Sequence, residues 1–151
     1  MSRPSDGSTV EDPRAALRQR PTMSEITGRY ERMQQEVRDR LAAELGLGDW
    51  GSEGAPVRSA CVRHPEVADA EQRNLVRWSR PGIPDEQWPE AVRIAGTVAA
   101  EHGFSELEVI ADRAGDHKVA IRDGFGGRLH FGTAARTVLA VRTGCHLVVE
   151  P

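Results

Sequence analysis

The sequence predicts an α+β fold of two layers: an antiparallel sheet of four to five strands with two amphipathic helices packed on one face. Three observations carry this expectation. Apolar residues recur every three or four positions in two long segments, the period of a helix with one buried side. Four later segments have the length and β-branched content of strands. Glycine-bearing turns of hairpin length join the first three of them, which makes adjacent strands pair antiparallel.

In chain order, residues 1–21 hold Pro4, Pro13 and Pro21 among Ser, Gly, Asp and Arg and show no apolar period, so they are expected to be a disordered tether ahead of a single globular domain at 22–151. Thr22-Met23-Ser24-Glu25 has the form of a capping box. Behind it Ile26, Tyr30, Met33, Val37, Leu41 and Leu45 make one apolar stripe, and Gly46 ends the helix. From Gly48 to Pro84 glycines and prolines interrupt every long element, leaving two short pieces, Val57 to Val62 and Asn74 to Ser79. A second helix is expected from Glu86 or Pro89 to His102, stopped by Gly103, with Phe104 folding back on its last turn. Four strands follow, at Leu107–Asp112, His117–Arg122, Arg128–Phe131 and Thr137–Arg142. Their outward face carries Lys118, Arg122, Arg128 and His130 and meets solvent, apart from any part that the middle segment crosses.

Composition excludes several functions. With 151 residues and a formal net charge of -3, acids and bases are mixed along the chain, which gives no broad basic field for nucleic acid. No apolar run is long enough to span a bilayer. Gly124-Phe125-Gly126-Gly127 lacks the Lys-Ser/Thr of a phosphate loop and precedes a strand, so it reads as a turn. His117 shares parity with Val119 and Ile121, whereas His130 alternates against Leu129 and Phe131. The two face opposite sides, and neither a metal nor a cofactor is expected.

Cys61 and Cys145 are the only cysteines, and neither lies in a CxxC. Their contexts favour a disulfide over two unrelated buried thiols, which points to an oxidising compartment. Thr143-Gly144-Cys145-His146 sets a thiol beside an imidazole, but neighbours on an extended segment point apart and cannot form a nucleophile pair. Trp50 and Trp78 fall in the irregular segment, where an indole suits either the margin of the core or a ligand-binding surface.

The chain resembles the LppA-type lipoproteins of mycobacteria and related actinobacteria. The likeness runs through Thr22-Met23-Ser24-Glu25 into Arg29-Tyr30-Glu31-Arg32-Met33-Gln34-Gln35, then Trp50, Cys61, His102-Gly103-Phe104, Gly115-Asp116-His117 and Thr143-Gly144-Cys145-His146. It implies an extracytoplasmic, lipid-anchored protein of the cell envelope whose anchor Cys is not in this chain, with no catalytic residues to carry over. The expected function is binding of an unknown envelope ligand or protein, or a structural role, without catalysis. The alternative is a small enzyme with a polar site near Asp112, Asp116 and His117.

Overall fold

A computed structural model describes residues 12–52 and 54–148. Helix α1 spans Pro13–Arg18, α2 spans Met23–Leu45 and α3 spans Trp88–Glu101, entered through a single 3-10 turn at Asp85–Gln87. The strands are β1 Trp50–Ser52, β2 Val57–Ala60, β3 Ala70–Ser79, β4 Ser105–Arg113, β5 Asp116–Arg122, β6 Arg128–Thr133, β7 Thr137–Arg142 and β8 His146–Leu147.

Helix α2 begins where the capping box demands. The Thr22 hydroxyl accepts the Glu25 N–H, and the Glu25 carboxylate accepts the Thr22 N–H at 2.9 Å. Gly46 closes it at φ 70°, and Gly103 after α3 takes φ 87° while Phe104 N–H returns to Ala99 O. These left-handed positions would strain a side-chain-bearing residue. Ile26, Tyr30, Met33, Val37 and Leu41 of α2 and Ala91, Ile94, Ala95 and Val98 of α3 cover Leu75, Val119, Ile121, Leu129, Phe131, Leu139 and Val141 of the sheet. Gln34 enters this core and donates to Leu75 O at 3.0 Å and to Leu139 O at 3.3 Å, fastening α2 to β3 and β7.

The sheet has eight strands, which corrects the four to five expected. All pairing is antiparallel, in the order β1-β3-β7-β6-β5-β4. The additional width comes from the irregular middle segment. It does not cross the open face but pairs β1 and β2 along one edge of a ten-residue β3, while β8 joins β7 along the other. Strands of two to four residues carry no readable period, so their pairing was set by β3 and not by local pattern. At the far edge β4 is exposed along most of its length and broken by two register shifts, with Glu106 at φ 57°. Such irregularities discourage a flat edge from recruiting another strand.

The tether expected over 1–21 is corrected in its second half. Asp12 caps α1 by accepting the Arg14 N–H, and Leu17 is buried with Cys61, Val67, Ala70, Cys145 and Leu147 in a small second core. A bidentate Arg14–Asp69 pair and the His146–Pro21 O bond hold the segment from both ends. The first half, residues 1–11, lies outside the described residues. One six-residue helix with a single apolar anchor is invisible to periodicity, and it forms because the disulfide region offers Leu17 a dry place to sit.

Candidate functional site

The free face of the sheet is built by strand parity. Positions that alternate with the core residues point away from the helices, and antiparallel register lines them up across strands. Three rows result. Trp78, Val138, Gly132 and Lys118 stand opposite one another, as do Val76, Ala140, His130 and Ala120, and as do Asn74, Arg142, Arg128 and Arg122. The middle row is low because alanines flank His130. The outcome is a groove of about 520 Å³ with a floor that includes Val76, Gly132, Val138 and Ala140 and a rim of Lys118, Arg136, Arg142 and Asp116.

Like charges directly opposite on paired strands destabilise a sheet, yet Arg142, Arg128 and Arg122 are aligned in this way. Glu108 relieves part of the repulsion, lying 3.3 Å from Arg128 and 3.6 Å from Arg122. Among the described residues Arg142, Lys118 and Arg136 have no carboxylate partner, and Arg136 instead lies 5.2 Å above the Trp78 ring. His130 answers to this surplus. Burial first, then Lys118, Arg128 and Arg142, hold its imidazole below the ordinary histidine range, and its buried Nδ1 has no protein partner.

The polar group expected near Asp112, Asp116 and His117 converges only in part. His117 Nδ1 lies 2.8 Å from Asp112 and Nε2 lies 2.7 Å from Asp85, a residue outside the expected set; Asp116 is turned to Arg113. Carboxylates accept, so both ring nitrogens donate and the imidazolium form is favoured. The Asp85 bond is the main cause of a His117 pKa above the ordinary value, with the Asp112 bond adding to it. Asp85 is held below the usual carboxylate range by the Gly115 N–H and by His117. The ring stacks on Trp88 at 5.3 Å. A histidine with both nitrogens committed has no lone pair to take a proton, and the arrangement clamps the entry of α3 to the β4–β5 hairpin.

Cys61 and Cys145 are bonded, with Cα atoms 5.4 Å apart. Neither expected tryptophan lines the groove. Trp50 packs against the helix-side core, and Trp78 shares the groove's face but lies beside it, its ring over Gly51 and under Arg136. Sequence reasoning placed Lys118, Arg122, Arg128 and His130 on this face and missed Arg136 and Arg142. The small outward residues Gly132 and Ala140 between outward cations were the signal that could have found the groove.

The sequence matches, over residues 1–148, a family described as LppA, a lipoprotein confined to pathogenic Mycobacterium. Two solved structures share the fold. LppA from Mycobacterium tuberculosis is 10% identical with a TM-score of 0.65, covering 90% of this chain and 86% of that one. A DUF4853 family protein from Actinomyces odontolyticus is 18% identical with a TM-score of 0.60, covering 87% and 72%. No curated protein matches the sequence.

Proposed function

This chain belongs to the LppA lipoprotein family, and from that premise we propose that it is the ligand-binding part of a lipid-anchored cell-envelope protein, holding an amphiphilic anion in the groove on the free face of its sheet without acting on it chemically. The observation that carries this reading is the set of three cations without a carboxylate partner among the described residues, Lys118, Arg136 and Arg142, at the rim of a floor of small apolar residues. Cations gathered in this way repel one another and add nothing to the stability of the sheet. The arrangement is useful when an anion arrives, since guanidinium groups donate in pairs to carboxylate, phosphate or sulfate oxygens. The floor then takes the apolar part of the ligand, at roughly 25 cal/mol for each Å² removed from water. The disulfide supports an oxidising location, because such bonds persist outside the cytosol. The non-catalytic reading is supported at His117, whose two nitrogens are both occupied by carboxylates.

Two single-chain amphiphiles of equal tail and opposite head test the proposal. Dodecylphosphate and dodecyltrimethylammonium, each below its micelle concentration, are titrated calorimetrically into the protein. The phosphate is expected to bind with saturable stoichiometry and the ammonium not to bind. Lys118→Glu and Arg136→Glu, both on exposed side chains, should each weaken the phosphate compound about tenfold or more. Equal binding of both amphiphiles, or none of either, would contradict the reading.

A further inference from the structure

We infer that the cavity beside the disulfide is a second, separate anion site built for a phosphate group. It measures about 530 Å³ and is lined by Arg20, Arg63, His64 and Arg142, with Gln72 and the glycines 126 and 144, and no carboxylate is among its lining residues. Among the described residues none of the three arginines pairs with an acid, and the nearby carboxylate of Glu66 lies 3.7 Å from His64. Arg20 is fixed in advance. Its Nη1 donates to Phe125 O at 3.1 Å and to Cys145 O at 3.0 Å, which leaves its other nitrogens for the cavity and ties their position to the disulfide. Gln72 is likewise held, accepting the Val62 N–H at 3.1 Å and donating to Thr143 O at 3.4 Å. Gly126 and Gly144 also line the cavity and pack against each other there, Gly126 at φ 80° and Gly144 so close to the Phe125 turn that a Cβ would lie 1.9 Å from Phe125 O.

Three guanidinium groups offer more donors than the two oxygens of a carboxylate can use, and they match the three terminal oxygens of a phosphate ester. Arg142 lines both cavities, so a ligand whose apolar part lies in the groove can carry its phosphate here. The site does not depend on the groove reading. Arg20 and Arg63 belong to this cavity alone and Lys118 and Arg136 to the groove alone, so the two can fail separately.

The test follows amide shifts of the full chain by NMR during titration with inorganic phosphate, and in parallel measures its binding to phosphatidylcholine vesicles with and without phosphatidylglycerol. Arg63→Gln changes an exposed side chain that makes no hydrogen bond or ion pair among the described residues, and Arg80→Gln removes the same charge outside the cavity as a control. Phosphate should shift the amides of Gly126, Gly144 and Arg63 saturably. Arg63→Gln should weaken that response about tenfold, and Arg80→Gln and Lys118→Glu should leave it within twofold. Binding of phosphatidylglycerol vesicles that also depends on Arg63 identifies a lipid headgroup as the source, and binding of inorganic phosphate alone identifies a soluble phosphate. No Arg63-dependent response to either probe, or phosphate shifts confined to the groove, overturns the inference.

Discussion

Reducing the disulfide should cost this fold a large share of its stability. The bond closes a span of 84 residues, and in the chain-entropy account a loop of that size withholds on the order of 15 cal/mol/K from the unfolded chain, or about 4.5 kcal/mol at 25 °C. For a domain of this length each kcal/mol corresponds to a few degrees, so the melting temperature should fall by about 10–15 °C. Native contacts do not offset the loss, because the second core around Cys61 and Cys145 adds only Leu17, Val67, Ala70 and Leu147. The assay is urea unfolding of oxidised and reduced protein followed by circular dichroism. Reduction is preferable to substitution, since both sulfurs are buried and their removal would add a cavity. A midpoint change equivalent to less than about 1 kcal/mol would refute the reasoning, by showing that the reduced unfolded chain keeps that loop closed or that strain in the native state cancels the gain.

The clamp at His117 makes stability pH-dependent in a defined window. A histidine whose folded pKa is raised contributes fully below its unfolded value near 6.5 and loses that contribution as pH rises through the folded value, whereas Asp85, held low, contributes above its unfolded value and loses it as pH falls through its own folded value. Thermal melts of the wild type should therefore show an advantage over His117→Ala that is greatest between about pH 4 and 6.5 and narrows above it; an advantage that grows toward pH 8 would contradict the charged clamp. Gly144→Ala should destabilise by about 1–3 kcal/mol or more in urea unfolding, since the new methyl meets a backbone carbonyl that cannot rotate away. A neutral result would mean that the Phe125 turn moves freely.

The long elements were legible because their signals are local. Thr22, Glu25 and Gly46 mark both ends of α2 in the sequence, and Gly115 and Gly126 occupy the turns that make β4, β5 and β6 a meander. What could not be read was set by partners distant in sequence. Leu17 is one leucine in a polar segment until the disulfide region gives it neighbours, and β1, β2 and β8 are strands only because β3 has free edges. The groove occupies an intermediate position. Alternation placed His130 and Lys118 outward, but the alignment of Arg142 with Arg128 and Arg122 depends on register across three hairpin-linked strands, and Arg136 enters through the β6–β7 turn. Trp50 and Trp78 drew notice by their size, although the smallness of Gly132 and Ala140 is what shapes the surface.

The most direct test of the binding account is the titration of the His130 imidazole, followed by NMR in the presence and absence of dodecylphosphate. Burial and three neighbouring cations hold this ring below the ordinary histidine value in the free protein, and an anion laid against Lys118, Arg142 and the His130 ring cancels part of that field and favours the protonated form. The account predicts a free pKa below about 6.5 that rises on binding, with no such rise in Lys118→Glu at the same ligand concentration. A His130 pKa unchanged by saturating dodecylphosphate, while the amphiphile binds elsewhere on the protein, would contradict it.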